Sequence, residues 1–323
     1  AAERSRWERL GVDVAFFDLI GAESLGGCYV MDIPAGGQTR PLQALYDEAI
    51  YVARGHGSAQ VEVGGKAFTF EWQPRSLFAI PTNARRTFFN GSGSESAALI
   101  STNTLPLLLD LFRDERFIFD NPWPFERAPL NTDPVLYQPD KDHDKTAVDL
   151  WETLFVADAV SVHRPEFKER GTGERTVYFE MGDSYISSHI AEMIPGHFLR
   201  PHKHGPSAFV YTLSGEGYSL MWPEGGEMAR FDWPAGDVGL VVPPNAWWHG
   251  HFALSAPAIQ LAVKLYSRKH PLNHLFDGVH KTLAQGGTVA RFTDLPEELR
   301  EHVWGEYEQK CRERNIQARD PNG

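Results

Sequence analysis

Cysteine is nearly absent. The 323 residues contain two, Cys28 and Cys311, near opposite ends. That argues against a disulfide framework and fits a reducing, cytoplasmic setting. Long apolar runs are missing, so no segment reads as a membrane span. The opening stretch AAERSRWERLGVD is charged where a secretory signal carries an apolar core. Positive charge is also scarce: 31 Lys and Arg against 43 Asp and Glu leave a net charge of −12. Without clustered Lys and Arg there is no groove for a phosphate backbone, so nucleic acid is not an expected partner. What the chain does have is glycine (29), proline (22) and 12% aromatics, a turn-rich composition that favours β architecture over a helical bundle.

The length allows about two domains. Two β-rich regions, from about Gly27 to Ser101 and from about Arg175 to Arg268, are built of short alternating runs punctuated by Gly and Pro. They repeat one another. Residues 48–61 parallel 207–220, and 76–89 parallel 238–251, as expected of a duplicated β-barrel or sandwich module. Between them, TLPLLLDLFRDERFIF and DKTAVDLWETLFVADAV carry apolar residues at helical spacing, separated by a Pro-rich loop. In the tail, TDLPEELREHVWGEYEQKCRERN predicts a helix, with Asp294 as cap, Pro296 in the first turn and Glu297 completing a box-like pattern. The expected divisions are 1–120, a first barrel; 121–165, a connector with helix; 166–285, a second barrel; and 286–323, a helical tail.

The stretch HKHGPSAFVY, 202–211, carries the chemistry. On a strand His202 and His204 point to one face. His249 follows the Pro-rich turn VVPPNAWW on a later strand. Neutral imidazoles suit Fe, Ni, Cu or Zn. The plainer alternative for a lone His-x-His is a surface or hydrogen-bonded pair. The context is fuller than that. Gly196, five residues, His202-Lys203-His204, three residues, Ala208, six residues and Gly215 follow the first cupin motif, with Ala208 where the motif has Glu. Gly236, Pro244, Ala246 and His249 follow the second more loosely: the gap is two residues longer, Ala246 replaces Gly, and Ala253 stands where Asn is expected.

The chain thus resembles the cupin superfamily, which implies an all-β bicupin: two double-stranded β-helix (jelly-roll) barrels with a helical connector and a C-terminal helix. The first module keeps the frame without ligands. Glu48 and Gly55 hold the motif spacing, but Leu42 and Ala44 stand at the His-x-His positions and Arg86 at the later histidine. His56 reads as an exposed turn residue.

RPHKHGPSAFVY and PPNAWWHGH also look like the metal motifs of gentisate 1,2-dioxygenase and its relatives on salicylates and hydroxynaphthoates. These place a small residue at the Glu position and write Trp-His-x-His, here Trp248-His249-Gly250-His251. In those relatives the functional site lies in the N-terminal cupin, and here the C-terminal one holds the ligands. The resemblance implies Fe(II), with Mn, Ni or Zn as alternatives, held by His202, His204 and His249. It also implies cleavage of a small aromatic acid by dioxygen and a homodimer or homotetramer.

Around the ligands, His251 is a candidate acid–base group or a rim histidine in water. Arg200 can meet a substrate carboxylate or form a surface salt bridge. Ala208 would leave room for a flat ring. Of Trp247 and Trp248, one is core and the other, taken as Trp248, a substrate wall. Gln260 contacts substrate if its face of AIQLAVKLY lines the barrel mouth, and otherwise meets solvent. Two further classes stay open: a non-redox metal cupin (lyase, isomerase or decarboxylase) and a non-catalytic small-molecule binder.

Overall fold

The structure, a computed structural model, describes residues 3–321 apart from 23–24, 64, 124, 126–149, 168–172, 183, 198, 206–207, 237 and 267–280. Strands dominate, and the repeat seen in the sequence is a repeat in space. In the first half, Gly27–Ile33, Ala97–Asn103, Glu48–Arg54 and Leu77–Ile80 lie side by side, in that order, within a seven-stranded sheet. Arg85–Asn90, Gly57–Val63 and Lys66–Trp72 lie side by side in a four-stranded sheet. In the second half, Ser187–Met193, Ala258–Lys264, Ala208–Ser214 and Gly239–Val241 take the same order within a six-stranded sheet. Trp248–Ala253, Gly217–Trp222 and Ala229–Trp233 form the matching three-stranded one.

The structural register is one residue off a straight superposition of the repeats. Glu48 and Ala208 each open their strand. The cross-strand pair Leu42–Arg86 is the counterpart of the bridge His202–His249. Two strands that sequence periodicity did not reveal, Ser5–Trp7 and Val12–Phe17, extend the first large sheet at its edge.

The two large sheets pack against each other. Ala49, Tyr51, Leu77 and Ala79 from the first half share one buried cluster with Phe179, Phe209, Tyr211, Leu261 and Val263 from the second. Each such aliphatic or aromatic side chain contributes about 1.5–3 kcal/mol when fully buried, so the halves hold together as one body. Polar links cross the same seam. The Tyr211 hydroxyl shares a hydrogen bond with Thr102, and the Tyr185 amide donates to Asp47 Oδ2 at 2.9 Å.

Two expectations are corrected. The helix expected at 144–160 is not helical in its described part, which holds two short strands followed by a turn. Leu150–Thr153 runs parallel to Tyr178–Met181, and Phe155–Val156 pairs with Leu77–Phe78. Trp, Thr, Phe and Val suit a pleated surface, and two open sheet edges recruit them against their helical spacing. The other helical expectations hold as Leu105–Phe112, Glu115–Ile118 and a tail of helical turns over Glu297–Glu313. The tail, however, is not capped by Asp294. Pro296 occupies the N-cap, and Asp294 instead accepts from the backbone and guanidinium of Arg291. Among the described residues no helix is long and apolar enough to cross a membrane.

Candidate metal centre

His202, His204 and His249 are all buried, and their ligand nitrogens lie within 4.8 Å of one another. Points that close share a centre about 2.8 Å from each, so sub-ångström ring movements reach metal–nitrogen distances of ~2.0–2.1 Å. The backbone explains the convergence. His202 and His249 exchange both amide–carbonyl bonds at 2.9 Å, an antiparallel pair whose side chains leave the same face. His204 is tied in by its carbonyl, which accepts from the Ala246 amide at 3.1 Å. Ala246 sits at φ +60°, the left-handed conformation that explains why the motif writes glycine at this turn.

One expectation about this stretch changes. His202 and His204 are not on a regular strand: His202 makes isolated bridges and the strand opens only at Ala208. Pro201 offers no amide to a ladder, yet the extended backbone still sends both imidazoles inward. For His249 the protonation pattern follows from its partner. Its Nδ1 lies 3.1 Å from the Trp247 carbonyl, which can only accept, so Nδ1 carries the hydrogen and Nε2 is left for a metal.

The triad opens onto a partly enclosed cavity lined by apolar side chains and a few polar ones. Sheet register sets its walls. Successive rows of the large sheet point inward, one formed by His189, Ala262 and Val210 and the next by Ala191, Gln260 and Thr212. Gln260, Ala262 and Ala208 all line the cavity, while Ile259, Leu261 and Val263 face the seam between the halves. Arg200 is on the wall as well, and its charge adds to the larger effect of Arg291 in holding the Asp294 carboxyl low. His251 is half-buried on the wall. Its Nδ1 lies 2.8 Å from Ser219 Oγ, which accepts from the Trp233 indole at 3.1 Å.

Trp248 is placed elsewhere. It packs into the cluster with the C-terminal tail and does not line the cavity. Its indole N–H and the Lys203 ammonium both donate to Glu224 Oε2, at 2.9 and 2.8 Å, and hold that carboxyl below the usual range. Next to His249 on an antiparallel strand, it must point to the opposite face.

Two titratable cavity residues escaped the sequence reading. Glu174 and His189 line the wall. Glu174 is buried and its Oε1 accepts from Thr176 Oγ1 at 2.9 Å, while His189 stacks on Tyr178 at 5.0 Å between centroids. The alternation of ERTVYFEM and SSHIAEM contained them, but only the barrel's closure shows which face is inside.

No protein-family model matches the chain, and no curated protein matches it significantly. Solved structures do. An oxalate decarboxylase from Bacillus subtilis, in a study of its Mn(II) centres, aligns with TM-score 0.54 and 12% identity over 94% of this chain and 82% of its own. An oxalate decarboxylase from Lactobacillus farciminis, as a formate complex, aligns with TM-score 0.53 and 16% identity over 82% and 85%. The fold is that of a bicupin. At these identities the likeness carries the architecture and leaves the chemistry to the residues.

Among its described residues the first half has no such triad. Leu42 and Ala44 are buried at the places of His202 and His204, and Arg86 is at that of His249. Arg86 Nη2 pairs with Glu48 Oε2 at 2.7 Å, and both side chains are essentially inaccessible. Ser101 Oγ donates to Glu48 Oε1 at 2.6 Å, the Tyr29 hydroxyl donates to the same oxygen, and Arg86 Nη2 donates to the Tyr46 hydroxyl at 2.5 Å. A buried guanidinium–carboxylate pair thus stands in the first barrel where the second has its histidines. His56 is exposed, as expected.

Proposed function

We propose that the C-terminal barrel is a divalent-metal enzyme acting on a small acid that chelates the metal through a carboxylate and a neighbouring oxygen. The carrying observation is Ala208 beside three buried, convergent histidines. The ligand set is neutral, and no carboxylate enters from the motif position. Three histidines would leave other positions of a bound divalent ion free, and its uncompensated charge would favour an anionic chelator. When bound, the metal would supply Lewis-acid polarisation and, if it is Fe(II), redox chemistry.

The chain's own residues orient the acid. Gln260 and Arg200 offer donors to its oxygens, and the apolar face of Ala208, Val210 and Ala262 excludes water and fits the carbon skeleton. Glu174 is a buried carboxyl in the same cavity, placed to give or take a proton. It favours non-oxidative cleavage beside the carboxylate, a decarboxylase or related lyase, as the first reading. The second reading, Fe(II)-dependent ring cleavage of a gentisate- or salicylate-like acid by dioxygen, is favoured by Ala208 and the open positions it leaves. His251 is the acid–base or donor group in either.

The test is to load metal-free protein with Mn(II) or Fe(II). Carbon dioxide release and oxygen uptake are then followed with oxalate, gentisate, salicylates and hydroxynaphthoates, under nitrogen and in air. Turnover under nitrogen that His204→Ala abolishes supports the first reading, and oxygen uptake with Fe(II) supports the second. Failure to bind any of Mn, Fe, Ni or Zn refutes both.

A further inference from the structure

The C-terminal tail does more than cover a sheet. Residues 288–290 run alongside the first ligand segment: the Lys203 amide donates to the Thr288 carbonyl at 3.1 Å and the Ala290 amide to the Pro201 carbonyl at 2.8 Å. His202 is therefore bridged on one side by His249 and on the other by Val289. Val289 and Ala290 are each 1% exposed. The segment carrying His202 has no regular strand of its own, and the tail supplies one of its two neighbours.

Further along, Tyr307 is fully buried and its hydroxyl makes two bonds at once. It accepts from the Gly196 amide at 2.8 Å and donates to the Ala253 carbonyl at 2.8 Å. Gly196 lies six residues before His202, and Ala253 four residues after His249. One hydroxyl thus joins the roots of both ligand-bearing segments. The Arg319 amide adds a bond to the Gly196 carbonyl at 2.8 Å. A Cβ on Gly196 would stand 2.3 Å from the Gln317 carbonyl oxygen, at φ +83°, so glycine here is required by the docked tail as well as by the turn. Around Tyr307, Leu295, Val303 and Cys311 pack on Trp248 and Phe252, the neighbours of His249 and His251.

Resting on the reading of His202, His204 and His249 as a metal centre, we infer that the docked tail is part of that centre and that Tyr307 is a positioning residue for its ligands. By thermodynamic reciprocity, a tail that tightens metal binding is itself tightened by metal to the same factor. Two measurements with Co(II) as the probe test this. Tyr307→Phe keeps the ring and removes both hydrogen bonds. It is expected to bind Co(II) about tenfold more weakly and to shift the visible Co(II) bands, which report ligand geometry and not stability. In the unsubstituted protein, amides of residues 288–316 are expected to exchange hydrogen several-fold more slowly with Co(II) than without. This second arm decides even if Tyr307→Phe does not fold. Unchanged affinity and bands in Tyr307→Phe, or tail exchange indifferent to bound Co(II), overturn the inference and leave the metal centre standing. No Co(II) binding, or bands that survive in His204→Ala, overturn both.

Discussion

Replacing Glu48 by Gln tests the idea that an ion pair has taken the place of a metal in the first barrel. Gln keeps the shape and still accepts from Ser101 and Tyr29, but it turns an acceptor facing Arg86 into an uncharged group. Arg86 is 1% exposed and Glu48 is 0% exposed, so solvent cannot make good the lost charge. Breaking a buried pair from one side costs about 3–5 kcal/mol, because the remaining charge stays desolvated. Arg86 keeps the Tyr46 hydroxyl and the Leu42 carbonyl as partners, which places the loss near the lower end. For a cooperative unit of this size that corresponds to a drop in Tm of about 5 °C. Guanidinium and thermal unfolding followed by circular dichroism measure it. Removing both partners, Glu48→Leu with Arg86→Met, is expected to cost less than Glu48→Leu alone, since no charge is then left buried. A Glu48→Gln protein within ~1 kcal/mol of the parent, or strictly additive single losses, would refute the reasoning.

Further outcomes follow from other parts of the molecule. Ala208→Glu brings a carboxylate to the cavity wall beside the triad and is expected to raise divalent-metal affinity about tenfold while cutting turnover at least about a hundredfold. Calorimetry and steady-state rates check the two parts separately. Gln260→Ala is expected to raise KM or lower kcat at least about tenfold, whereas Trp248→Phe, outside the cavity, is expected to leave KM within about twofold. The same kinetics on both variants decide it. Burial pushes the Tyr46 hydroxyl up to about 12, so the folded state holds that proton longer than the unfolded chain. The associated stability is complete below about pH 10, drains away towards about pH 12, and amounts to about 2–3 kcal/mol. Alkaline unfolding midpoints that are no less steep in Tyr46→Phe across that window would contradict it. Gly196→Ala meets both a positive φ and the Gln317 carbonyl and is expected to cost at least ~1–3 kcal/mol, read from denaturation midpoints.

Much of this molecule was written locally. Motif spacing placed His202, His204 and His249 together before any coordinates, because a ligand set needs particular side chains at particular positions. The repeat was legible because both halves use the same turns, down to the left-handed residues Asn83 and Ala246. The alternation of AIQLAVKLY split Gln260 and Ala262 from Ile259 and Leu261, and only the choice of inner face was left open. Other features depend on partners far along the chain. Residues 150–156 have the periodicity of a helix and become strands because two sheet edges stand open beside them. Trp248 adjoins a ligand yet faces the tail, and Glu174 and His189 enter the cavity only because the sheet closes around it. Sequence alone determined which side chains could hold a metal and which barrel carries them. Tertiary structure decided which side chains share the cavity, and it set the tail against the ligand segments, because such neighbours are joined by hydrogen bonds and burial between residues more than a hundred positions apart.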